Sequence, residues 1–265
     1  MNIRSLHQTI TDAFSEIRPV VDTIFARTLK KIERRGRSVN VKTFTERLNT
    51  ALKPFQIRVL TESNDSFGNP LENGGKFYPA IGGFCYEPAD PSKLAKIEII
   101  MCVHSATNRL QLTLESWQYF KFRLLKVINH ELVHRAQYVA GRKHTSSLIF
   151  RPQVSASMDM HIYNEQRYLG DIDEIEAYAR DCVEEWYYFY PDVPLTMRNM
   201  KHEFKHHAVV PAIEYYQDVF KRDDTHPSVR RFFRKVMEWN SLVEPLAPSF
   251  PSCPSYVIRD RQAGK

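Results

Sequence analysis

The sequence predicts an α+β fold: a small, mostly antiparallel sheet, one central helix, and additional helices on the N- and C-terminal sides. Three observations predict it. Apolar residues recur at helical spacing before residue 54 and again after residue 171. Between residues 56 and 105 the texture changes to short β-prone runs separated by Asn, Gly, Pro and Asp clusters. A single long helical stretch, about Glu115 to Ala140, then follows, with Gly141 where a left-handed C-terminal cap belongs.

Residues 4–35 carry Ile10, Phe14, Ile17, Val21, Ile24, Phe25 and Leu29 on one stripe. Pro19 interrupts the stripe, so two short helices are expected. Asn40 to Leu52 is a third amphipathic helix, with Phe44, Leu48 and Leu52 on one side and Pro54 ending it. The runs QIRVL, KFYPAIGGFCY and KIEIIMCVHS supply the strands. Residues 142–170 read as irregular. Asp171 or Asp173 then caps a helix that runs to about Tyr190 and stops at Pro191. Two more helices fit 195–221, kinked or divided by Pro211, and 227–243, introduced by Thr225 and Pro227. The expected organisation is a helical segment at 1–54 packed on a core at 55–243, followed by a Pro- and Ser-rich tail at 244–265.

Composition narrows the class. Among 265 residues, 43% are hydrophobic and 26% charged, ordinary values for a globular chain and unlike those of disordered or collagen-like sequences. No stretch approaches the ~18 uninterrupted apolar residues of a membrane span, and the N-terminal MNIRSLHQTITDAF lacks the apolar core of a signal peptide. Cys85, Cys102, Cys182 and Cys253 form no C-x-x-C pair, which argues against a cysteine zinc site or a dense disulfide framework. A reducing, cytoplasmic setting without a membrane partner is the expectation. The net charge of +6, with runs KKIERRGR and KHEFKHH, permits contact with nucleic acid, but no nucleic-acid-binding motif accompanies it.

The segment V-I-N-H-E-L-V-H-R-A-Q-Y contains H-E-x-x-H. On a helix, residues four apart share a face, so His130 and His134 can offer imidazole nitrogens to one cation while Glu131 points into the adjoining cleft. Leu124, Leu125, Val127, Ile128, Leu132 and Val133 surround the motif with apolar sequence, where an unpaired polar group is costly. A second match, His202-Glu203-Phe204-Lys205-His206, is flanked by Lys201 and His207. Added positive charge would repel a cation there, so this copy reads as a basic, exposed helical turn.

A catalytic zinc site needs a third protein ligand. His144 and His161 are available, but Gln137 and Ala140 exclude the extended H-E-x-x-H-x-x-G-x-x-H arrangement. A better candidate lies in D-I-D-E-I-E-A-Y-A-R-D, where Glu174, Ala177, Tyr178 and Asp181 share a helical face and small Ala177 permits close approach.

Taken together, N-H-E-L-V-H-R-A-Q-Y and E-I-E-A-Y-A resemble the gluzincin-type zinc metallopeptidases of the zincin fold, whose third ligand is a Glu in an E-x-x-A or E-x-x-S context. The likeness is greatest to small metallopeptidases encoded by bacteriophages and covers roughly residues 95–190. It implies a zincin-like core binding Zn2+ through His130, His134 and Glu174, with Glu131 as general base and a peptide or protein substrate. Tyr178 stands where larger gluzincins often place an Asp, leaving Asp173 or Asp181 as partners of the ligands and Glu176 as an alternative ligand. The oxyanion donor would be Tyr178, Tyr138 or His161. The resemblance also implies that Lys96 to Ser105, with His104 near its end, is an edge strand along which an extended peptide pairs. Host cytoplasm or the virion would be its location. A catalytically inactive phage structural or interaction protein, and a DNA-associated protease, are the rival readings.

Overall fold

The computed structural model describes residues 3–35, 38–63, 80–86, 93–103, 109–111, 114–141, 158–206 and 208–243. Expectations for His104, His144, the side chain of His161, residues 142–157 and the tail at 244–265 fall outside the described residues. Within them lie eight α-helices and five short strands, so the α+β class holds. None of the described helices is long and apolar enough to cross a membrane. The chain divides into two compact units, residues 8–136, and residues 1–7 with 137–265.

The first unit begins in α1 (Ile3–Arg35), which runs through Pro19 without a break. The expected division into two helices is therefore corrected. Ile10, Phe14, Ile17, Val21 and Phe25 are all buried on one stripe that keeps its phase across the proline. Proline within a helix costs ~3 kcal/mol, whereas each large apolar side chain contributes ~1.5–3 kcal/mol by burial. Continuing the helix therefore wins. After β1 (Ser38–Asn40), α2 (Val41–Leu52) starts where the Asn40 Oδ1 accepts the Thr43 amide at 2.9 Å. Phe44 of α2 meets Phe25 of α1 and Trp117 of α3 (Leu114–Val139) at ring-centroid distances of 5.3 Å each. Lys121 of α3 binds Asp22 at 2.9 Å.

The main sheet holds β2 (Ile57–Ser63), β3 (Ala80–Tyr86) and β4 (Lys96–Val103) in the order β2-β4-β3. β2 runs parallel to β4 and β3 antiparallel, while β5 (Arg109–Gln111) pairs antiparallel with β1 in a separate ribbon. Two of the three pairings are thus antiparallel. β4 is the central strand of its sheet, which corrects the expectation that it forms the edge. Its apolar run explains why: Ile97, Ile99, Met101 and Val103 are buried on one face, and the backbone is paired on both sides. β2 is partly closed by Asn49 of α2, whose side chain donates to Val59 O at 2.8 Å and accepts from Val59 N at 2.6 Å. Among the described strands, β3 is the other edge.

In the second unit, α4 (Met158–Gly170) occupies part of the stretch expected to be irregular. α5 (Ile172–Phe189) is its core helix, capped by the Asp171 side chain accepting from the Asp173 amide at 2.8 Å. Every residue of α5 from Asp173 to Ala177 is buried, as are those from Ala179 to Trp186. α6 (Met197–Lys205) and α7 (Pro211–Val219) are separated as Pro211 predicts, with the proline in the first turn of α7. Their junction is held by buried carboxylates. Glu185 accepts from Ala212 N at 2.7 Å, and Glu203 accepts from the amides of Val209 and Val210. α8 (Pro227–Asn240) stacks Phe232 on Tyr216 at 3.9 Å and donates from Trp239 Nε1 to Glu176 O at 3.0 Å.

Candidate metal centre

Helix α3 is surrounded by its own apolar side chains. Trp117, Phe120, Leu124, Leu125, Ile128, Leu132 and Val133 are buried, and the motif lies within that stretch: His130 is 8% exposed, Glu131 4% and His134 6%. Four-residue spacing brings the two imidazole centroids to 5.0 Å with their planes at 71°. Polar groups removed from water to this degree need partners of matching chemistry.

Strand β3 passes directly over Glu131. A Cβ built on Gly83 would meet Glu131 Cγ and Oε1 at 2.7 Å and Val127 Cγ1 at 2.9 Å, so only glycine fits without displacing the carboxylate. Two residues on, Cys85 faces the same side of the sheet. Its thiol is pushed well above the usual range, first by burial and then by the Glu131 charge, with Arg135 opposing. Cys85 is therefore a neutral thiol rather than a nucleophile. Arg135 is held by the turn before β2, donating from Nη1 to Phe55 O at 2.9 Å and from Nη2 to Gln56 O at 3.3 Å. Burial lowers its pKa and the neighbouring Cys85 raises it.

Glu174, 6% exposed, sits in the first turn of α5 beside fully buried Ala177. Around it gather four phenols. The Tyr168 hydroxyl lies near both the Glu174 carboxylate and the Tyr178 hydroxyl. Tyr178 packs edge-on to Tyr168, Tyr215 and Tyr216 at 6.2, 5.8 and 6.2 Å. Burial, then the nearby Glu174 charge, raises the pKa of Tyr178 and Tyr216, and burial leads the upward shifts of Tyr168 and Tyr215 as well. All four stay protonated. Glu176 is engaged elsewhere, accepting from Gln137 Nε2 at 3.2 Å and pairing with Lys235 at 3.5 Å.

His130, His134 and Glu174 each offer one ligand atom, and these atoms lie within 4.8 Å of one another. Among the described residues no other set of three His, Cys, Asp or Glu side chains meets this condition. Two imidazoles and a carboxylate, all buried, form a donor set that can hold a divalent metal ion, and zinc suits such a set. The sequence names these three residues and Glu131. It misses Gly83 and Tyr168. The Gly-Gly pair in β3 is the only signal that could have pointed to Gly83, since an interior strand glycine marks close approach of another chain segment.

The second H-E-x-x-H is arranged the other way round. His202 and His206 are exposed, with ring centroids 4.4 Å apart, and Lys205 pairs with Asp224 at 3.1 Å. Of its histidines and glutamate, Glu203 alone is buried. Its carboxylate accepts from the Tyr190 hydroxyl at 3.0 Å and from the two amides preceding α7. Tyr190 is raised by burial and then by Glu203.

No protein-family description, curated protein or solved structure matches this chain.

Proposed function

We propose that the chain is a zinc-dependent metallopeptidase of the zincin type that hydrolyses peptide bonds. The observation that carries this reading is the buried grouping of His130, His134 and Glu174, with Glu131 one residue from the first ligand. Zinc, when bound, supplies a Lewis acid that brings the pKa of water toward ~7 and polarises a carbonyl. His130 and His134 would hold it through neutral imidazole nitrogens and Glu174 through a carboxylate oxygen.

The chain's own groups do the rest. Glu131 takes a proton from the attacking water as its oxygen adds to the carbonyl carbon, then delivers that proton to the amine as the C–N bond breaks. Gly83 leaves room for that carboxylate beneath β3. Tyr178, with Tyr168 as a neighbouring donor, keeps its proton and so can donate to a developing oxyanion. β3, an edge strand among the described residues that runs over Glu131, replaces β4 as the strand on which an extended peptide pairs.

The test is metal analysis and cleavage of a mixture of unfolded proteins by wild type and Glu131→Gln. Zinc in both, with cleavage by wild type at least ~10²-fold faster, is expected. Fully zinc-loaded wild type that cleaves nothing overturns the peptidase reading.

A further inference from the structure

The first unit contains a groove of about 730 Å³ whose walls are α1 and α2. Arg27, Lys30 and Lys31 stand on α1 at the i, i+3 and i+4 spacing that puts them on one face, and Arg47 faces them from α2. All four are exposed, and among the described residues none forms an ion pair. Among the described residues, Glu46 is the one carboxylate in the lining. The run around Lys30 is visible in the sequence, but its union with Arg47 exists only in the fold.

Cations held close together without acidic partners repel one another, which is tolerated where an anion neutralises them. The form of the groove narrows the choice of anion. Guanidinium forks on opposite walls suit bidentate contact with phosphate oxygens, and Thr43, in the first turn of α2, adds a hydroxyl where the helix N-terminus is partially positive. Among the described residues no aromatic side chain lines it, so bases find nothing there to stack on. We propose that this groove binds the phosphate backbone of nucleic acid, independently of base sequence. An acidic protein segment is the alternative occupant.

The experiment uses the full chain with short single-stranded and duplex DNA of mixed sequence, read by fluorescence anisotropy, beside polyglutamate of similar charge. Four phosphate contacts predict a log–log salt slope of about −3.6 for duplex, roughly a hundredfold loss of affinity between about 50 and 200 mM salt. Two DNAs of different sequence should bind alike. Arg27→Gln combined with Arg47→Gln should reduce the slope by about 2, while Lys201→Gln, an equally exposed cation in the other basic run, leaves it nearly unchanged. The substituted side chains are exposed, and an unchanged melting curve verifies that the variant is folded. Absence of DNA binding at low salt, an unaltered slope in the double variant, or an equal loss in Lys201→Gln overturns the proposal. Polyglutamate binding as tightly as DNA also overturns it and assigns the groove to an acidic protein. Zinc content and peptide cleavage of the double variant should match wild type, so this inference and the peptidase reading fail separately.

Discussion

Two turns of this molecule spell H-E-x-x-H, and they are built inside out relative to each other. At 130–134 all three motif side chains are buried in an apolar helix, with the glutamate beneath a strand glycine. At 202–206 the histidines face solvent and the glutamate is buried, taken up by the Tyr190 hydroxyl and the amides leading into α7. The same five-letter pattern thus yields a candidate metal centre in one place and a structural cap in the other. What separates them is which residues the flanking sequence buries. Apolar neighbours draw the first motif into the core, whereas Lys201 and Lys205 keep the second at the surface.

The largest effect should come from removing a ligand. His130→Ala is expected to abolish stoichiometric zinc in metal analysis, and Glu174→Ala to weaken retention strongly, while His202→Ala keeps the full complement. Loss of zinc only in His202→Ala would invert the comparison. The reciprocal experiment concerns the glutamates. Glu203→Ala leaves buried amides without an acceptor and should lower unfolding free energy by ~3 kcal/mol in urea titration, with metal content unchanged. Glu131→Gln should do the opposite, sparing stability and removing cleavage.

A smaller effect tests the contact between β3 and Glu131. Gly83→Ala should retain zinc yet slow peptide cleavage by ~10²-fold, since shifting the carboxylate by about 1 Å misaligns it. Cleavage at the wild-type rate would show that Glu131 has room to spare. Last, Tyr190→Phe should cost ~1 kcal/mol at pH 8. The folded state holds the Tyr190 proton more tightly than the unfolded chain, so this contribution is present below the ordinary tyrosine value of ~10 and is lost as pH rises above it. The difference in urea midpoint between Tyr190→Phe and wild type should therefore shrink on going from pH 8 to above pH 10.

Much of the helical framework was legible because its signals are local. Asn40 and Asp171 cap the helices they precede, Gly141 takes the left-handed conformation (φ 74°) after α3, and Pro211 and Pro227 sit in first turns. What failed depended on distant partners. Pro19 reads as a break until the buried stripe on both sides of it is weighed against one lost hydrogen bond. β4 reads as an edge until β2 and β3 are found pairing on its two sides, a matter of long-range order that no single strand encodes. Of the site, His130, Glu131, His134 and Glu174 follow from helical spacing and resemblance. Tyr168 does not, because its role depends on α4 lying beside α5.

The clearance at Gly83 has a thermodynamic consequence. A glutamate side chain free in solvent samples many rotamers, and fixing it costs up to ~2 kcal/mol of entropy. With the β3 backbone lying against its Cγ and carboxylate, Glu131 surrenders much of that freedom when the chain folds. An incoming substrate would then meet a base already confined, and the ordering penalty would fall on the folding equilibrium rather than on each encounter.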